Sequence, residues 1–150
     1  MKLNLIKTKL ESISNFVFHS SSNNKMNGLE GMGGGEVKCV LENENALLFY
    51  ENGRFNNSFN KSMKCNNIYR WSFDYLDNKI ALQHLRFGFD NPVFLFDLIF
   101  EKENRMVSQT PHICKDDKYS AEMMIETSAI KLNWIVKSQI KYNRMEYLYE

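Results

Sequence analysis

Apolar side chains recur at every second position along most of this chain. Val37, Cys39 and Leu41 alternate with polar or charged neighbours, and Tyr69, Trp71, Phe73 and Tyr75 alternate with Arg70, Ser72 and Asp74. A period of two puts one set of side chains on each face of a strand. The same reading makes strands of "NFVFHS", "ALLFYE", "KIALQHLRF", "PVFLFDLIFE", "YSAEMMIE", "IKLNWIVKS" and "KYNRMEYLY". Turn residues punctuate them: Asn52-Gly53, before "RFNNSF", predicts a hairpin, and Asp77-Asn78 predicts the next turn. Two segments break the pattern. Leu3, Ile6, Leu10 and Ile13 stand three or four apart, which predicts a short amphipathic helix within residues 1–14. "SSSNNKMNGLEGMGGG" has no period, and residues 20–35 are expected to form a flexible loop of the kind that serves as a lid.

About nine closely spaced strands without helical crossovers predict a mainly β fold, an antiparallel meander in one domain spanning residues 1–150. "PVFLFDLIF" is apolar at both parities, so it is expected to be covered on both faces. A closed barrel with the N-terminal helix packed outside its wall would provide that cover and remove free edges.

Composition narrows the function classes. Eleven Phe, seven Tyr and two Trp suit an aromatic β core, and a net charge of +1 gives no overall field for nucleic acid or an anionic membrane. Lys2, Lys7 and Lys9 interrupt the first apolar run, so no secretory signal is read there. Cys39, Cys65 and Cys114 cannot all pair within one chain, and free thiols fit a cytoplasmic protein.

His112-x-Cys114-x-x-Asp117-x-Tyr119 resembles the HxCxxDxY motif of domain of unknown function family 6314, a family of small lipocalin-like (calycin-type) barrels. "LLFYENG" is similar to the family's aromatic-x-Glu-x-Gly turn through Phe49, Glu51 and Gly53. "YRWSF" resembles its Tyr-Arg-Trp strand, and "WIVKSQIKY" its Trp-x-Val…Lys-x-Tyr segment through Trp134, Val136, Lys141 and Tyr142. Ser138-Gln139 stands where the family has Gly-Pro, which marks a divergent member. The resemblance covers the chain from about Phe16 to Tyr149 and implies a calycin-like barrel; it implies no activity.

The candidate chemistry lies in a few polar groups. His112 and Cys114 share a face if "HIC" is extended, which suits either a zinc site or a Cys-His nucleophile pair. Neither has its remaining partners at a recognisable spacing, so no metal, cofactor or catalytic residue is assigned. The simpler reading points His112 and Cys114 into the barrel and has Asp117 and Tyr119 fix the corner, Asp117 by capping turn amides. "GLEGMGGG" lacks the ending of a phosphate-binding loop. Lys131, Lys137 and Lys141 read as a solvated face. Arg70, His84, Arg86 and Asp97 sit among apolar strand residues, so each either faces solvent or joins a polar network in the lumen.

The expected function is binding of a small apolar or amphipathic ligand in the lumen. Trp71, Phe73, His84, Arg86, His112, Tyr119, Trp134 and Arg144 are the expected lining, with Glu51, Gly53, Cys114 and Asp117 as structural motif residues. The alternatives are an interaction or scaffold module with a filled barrel and Arg70 and Asp97 outside, and a Cys/His-dependent enzyme. Neither nucleic acid nor membrane is an expected partner.

Overall fold

The computed structural model describes residues 2–23, 30–109 and 112–150, without the side chains of His112 and Cys114. A single helix, α1 (Lys2–Glu11), precedes β1 (Asn15–Ser22), β2 (Gly31–Asn43), β3 (Ala46–Asn57), β4 (Ser62–Asp74) and β5 (Lys79–His84). Then follow β6 (Val93–Lys102), β7 (Arg105–Ser108), β8 (His112–Cys114), β9 (Asp117–Ile125), β10 (Ile130–Lys137) and β11 (Tyr142–Tyr149). All pairings are antiparallel. Ten strands close into a ring as β10 joins β9 and β11 joins β1, while β8 continues the line of β7 along β9. Closure leaves the meander without a terminal strand that lacks a neighbour.

The alternation seen in the sequence sets which side faces in. Phe16 and Phe18, Leu47 and Phe49, Tyr69, Trp71 and Phe73, Ile80 and Leu82, and Tyr147 and Tyr149 all lie within one buried cluster. Leu3, Ile6, Leu10 and Ile13 belong to the same cluster, so α1 closes one end of the barrel rather than packing outside the wall. Lys9 fixes it there by donating from Nζ to the carbonyls of Glu126 and Thr127, at 3.0 and 2.9 Å. Burying Leu3, Ile6 and Leu10 contributes about 1.5–3 kcal/mol each.

The doubly apolar strand has a different cause from the one expected. The β5–β6 register shifts between Leu82 and Gln83, a β-bulge that switches the inward parity of β6. Val93 and Leu95 before the shift, and Phe96, Leu98 and Phe100 after it, therefore all meet the core. Asp97 faces out, beside Lys79 Nζ at 3.8 Å. Arg70 also faces out, held bidentately by Glu42 at 2.8 and 3.0 Å.

Two turn assignments change. Asn52-Gly53 is not a hairpin: β3 runs straight through it, and the chain reverses at residues 58–61. There Asn57 Oδ1 accepts the amides of Phe59 and Lys61, both at 3.0 Å, and Asn60 has φ 60°. The expected loop over 20–35 is also shorter, since Ser20–Ser22 belong to β1 and Gly31–Gly35 to β2. Those glycines serve close approach. A Cβ on Gly35 would lie 2.0 Å from the Asn52 carbonyl oxygen, and one on Gly33 would lie 2.5 Å from the Phe18 ring. Gly35 and Gly53 face each other across the β2–β3 ladder, so Gly53 is a packing glycine too. Residues 24–29 of the expected loop lie outside the described residues. No helix among the described residues is long and apolar enough to cross a membrane.

Candidate functional site

The middle of β3 places a carboxyl group inside the barrel. Leu47, Phe49 and Glu51 share a parity, and Glu51 is 1% exposed. Its Oε2 accepts a 2.7 Å hydrogen bond from the Tyr149 hydroxyl. Its Oε1 has no hydrogen-bond partner among the described residues. Tyr149 stacks on Tyr147 at 5.4 Å, and the hydroxyls of Tyr147 and Tyr69 are hydrogen-bonded to each other. Tyr69 stacks in turn on His84 at 4.8 Å.

Burial dominates the electrostatics of this group. It pushes the Glu51 carboxyl up to about 7 against the opposing pull of the Tyr149 hydrogen bond. Burial, and then the neighbouring Glu51, hold Tyr69 above its ordinary value, and burial does the same to Tyr147 and Tyr149. His84 moves the other way, to about 4, through burial and then the positive charge of Arg86. Burial first, and then Glu51, raise the Cys65 thiol, which also receives Asn67 Nδ2 at 3.6 Å. Near neutral pH the centre therefore holds a neutral imidazole, three neutral phenols, a neutral thiol and a carboxyl close to its midpoint.

The wall beside this centre is incomplete. β4 pairs with β5 only over Tyr69–Asp74, with one further backbone bond from Leu85 to the Ile68 carbonyl at 2.9 Å, so Ser62–Asn67 pair with β3 alone among the described residues. A cleft of about 370 Å³ opens there, lined by Tyr50, Glu51, Asn52, Asn66, Asn67, Ile68, His84, Leu85 and Arg86. Inward-facing Glu51, Asn67 and His84 appear among its walls, so it borders the lumen.

At the end away from α1 the inward side chains include several that are only partly buried. Phe55, Cys65, Ala121, Trp134 and Met145 are partly buried against the core. Tyr119 stacks on Trp134 at 6.5 Å, and Phe96 meets the same indole edge-on at 6.0 Å. Trp134 Nε1 and Asn143 Oδ1 are buried and have no hydrogen-bond partner among the described residues. The β10–β11 register makes these two residues diagonal neighbours on the inner face.

A larger crevice, of about 920 Å³, separates the hairpin tips at 113–118 and 137–141. Its walls are Lys and Asp side chains with Ile113, Ser138, Gln139 and Ile140, and Lys141 bridges it to Asp117 at 3.1 Å. It holds no buried orphan polar atom and none of the lumen residues.

The expected lining residues separate into four groups. Tyr119 and Trp134 meet at the far end. His84 and Arg86 meet at the side cleft, Arg86 exposed with its guanidinium over the Phe87 ring at 5.0 Å. Trp71 and Phe73 lie in the packed helix end, at 0% and 4% exposure. Arg144 faces away from the lumen, on the parity of β11 opposite to that of Met145 and Tyr147, with Nε 3.2 Å from Glu146. Asp117 accepts from Lys141 across to the β10–β11 turn, and Lys115 (φ 58°) makes the tight turn before it. The backbones of His112 and Cys114 pair with Tyr119 and Asp117, while their side chains, and the expectation that they point inward, lie outside the described residues. No three His, Cys, Asp or Glu side chains among the described residues converge on a metal site.

The family model described as a family of unknown function, DUF6314, matches residues 15–150. The chain belongs to that family. Its HxCxxDxY segment forms β8, the tight turn and the start of β9, and its aromatic-x-Glu-x-Gly segment is the middle of β3, where the Glu is the buried carboxyl. No curated protein and no solved structure matches the chain.

Proposed function

We propose that this chain binds a small, partly apolar molecule in the half of the barrel lumen away from α1, in the manner of a calycin-type barrel. The observation that carries this reading is the pair of buried, unpartnered polar atoms, Trp134 Nε1 and Asn143 Oδ1, set among half-buried Phe55, Met145 and Tyr119. A buried polar atom without a partner costs about 1–3 kcal/mol, and a ligand carrying one acceptor and one donor recovers that cost. Aromatic walls with a few converging polar groups are the usual chemistry of a small-molecule pocket. The test uses Nile red, a neutral apolar fluorophore. It is expected to bind at about one per chain, to quench Trp134 emission, and to be excluded by Ala121→Trp, which fills the space opposite Trp134. No binding, or binding that Ala121→Trp leaves unchanged, overturns the reading.

A protein-interaction role is the second reading, favoured by one observation. The unpaired half of β4 leaves a backbone edge flanked by exposed Phe59, Met63, Phe87 and Phe89, which suits an added strand from a partner.

A further inference from the structure

The gap in the wall beside β4 exposes chemistry that the far-end lumen does not use. Every other buried aromatic of the barrel centre packs against a neighbour, and Tyr149 satisfies one oxygen of Glu51. The second oxygen has nothing to bond, on a residue that is 1% exposed and lines an open cleft. Around it stand Asn66, Asn67 and His84, with Arg86 at the rim.

We propose that this cleft is a recognition site for a small carboxylate, in which Glu51 in its acid form donates from Oε1 to the ligand's carboxylate and Arg86 pairs with the same group from outside. The proposal rests on the reading that the barrel takes up a small molecule, and it adds the head group and the way in.

The direction of the hydrogen bonds selects the class. Because Oε2 accepts from Tyr149, the proton of a neutral Glu51 belongs on Oε1, and that atom becomes a donor without an acceptor. Arg86 offers only donors, and a neutral imidazole offers one N–H. The cleft is thus donor-rich and carries one fixed positive charge, which suits an anion with acceptor oxygens and opposes an amine. Charge-assisted bonds to a carboxylate are the stronger kind.

The titratable groups interacting with Glu51 are Cys65 and Tyr69 from β4 and Tyr147 and Tyr149 from β11, while His84 from β5 and Arg86 from the following segment share its cleft. The thiol and the phenols are raised away from neutrality and His84 lies near 4, so Glu51 is the group of this set that changes charge between pH 6 and 8. Its acid fraction falls about tenfold over that interval, and ligand affinity follows it.

The experiment titrates the purified full chain with octanoate, octanol and octylamine by calorimetry at pH 6 and pH 8. Octanoate is expected to bind at least about tenfold more tightly than octylamine at pH 6, and to lose about tenfold between pH 6 and 8. Glu51→Gln keeps a permanent donor, so its octanoate affinity is expected to be the same at both values. Arg86→Gln, on the exposed rim, is expected to weaken octanoate at both, and it serves as the check should Glu51→Gln fail to fold. Three results overturn the proposal: octylamine binding more tightly and strengthening above pH 7, a pH dependence that persists in Glu51→Gln, or octanoate indifferent to Arg86→Gln. Nile red binding without octanoate binding removes the carboxylate site and leaves the lumen reading standing. Failure of both removes the two together.

Discussion

Glu51 shows how one residue couples stability to pH. A free glutamate ionises near 4.5, and this one near 7 in the folded chain. Below 4.5 it is protonated in both states and has no effect on stability. Between 4.5 and 7 the unfolded chain releases its proton first, so stability falls as pH rises, by a total of about 3 kcal/mol. His84 acts in the opposite sense, because the unfolded chain takes up its proton first as pH falls from 6.5 toward 4. Comparing Glu51→Gln with the parent isolates the carboxyl, since His84 is common to both. Glutamine still accepts from Tyr149 and carries no charge. Urea midpoints are expected to show the variant gaining about 3 kcal/mol over the parent on going from pH 4 to pH 8. A constant difference between the two curves would place the ionised carboxylate in a better-solvated site than its burial implies. Asp117 belongs at this scale too. Its partner is a half-exposed Lys141, so Asp117→Ala is expected to cost less than about 1 kcal/mol, measured by the same midpoints.

Among the elements, β2 is the least forgiving. At Gly31 and Gly35 its backbone approaches β3 so closely that a Cβ would collide with backbone rather than with a movable side chain. Gly35→Ala must displace the Asn52 carbonyl and is expected to destabilise by about 2–3 kcal/mol. Gly33→Ala meets mainly the Phe18 ring and the Arg54 carbonyl, and the ring must leave its stack with Phe55. The helix is the second sensitive element. Leu10 is fully buried in the cluster that closes the barrel, so Leu10→Ala is expected to cost about 2–5 kcal/mol in thermal or urea unfolding. Leu5, 59% exposed on the opposite side of α1, gives the contrasting case, with Leu5→Ala within about 0.5 kcal/mol.

For the whole molecule, closure determines the kinetics. The ring is completed by β1 meeting β11, with Phe16 opposite Tyr149, so one ladder spans nearly the entire chain. Non-local pairing must overcome loop-closure entropy before its contacts form, and refolding is expected on a millisecond-to-second scale in stopped-flow fluorescence. Microsecond refolding would mean that a local unit dominates the transition state. Closure also gives the molecule two unlike ends, one sealed by α1 over Trp71 and Phe73, the other lined by half-buried Trp134 and Met145.

The strands and the helix were legible in the sequence because their signals are local. A period of two needs only neighbouring residues, and Leu3, Ile6, Leu10 and Ile13 declare a helix by spacing alone. The barrel was legible as well, from the run of strands without crossovers. Asn52-Gly53 misled because the pair that favours a hairpin also permits two backbones to touch, and only the facing Gly35 decides between those uses. The doubly apolar β6 misled for a related reason. A bulge shifts parity through its partner strand, and nothing in β6 itself announces it. Glu51 shares a parity with Leu47 and Phe49, so its inward direction was readable from the sequence. Its partner was not. Tyr149 lies 98 residues away, and only the β1–β11 closure brings its hydroxyl to the carboxyl. The same holds for the gap beside Glu51. It exists because β4 is longer than β5, a mismatch of lengths that acquires meaning only once the two are paired.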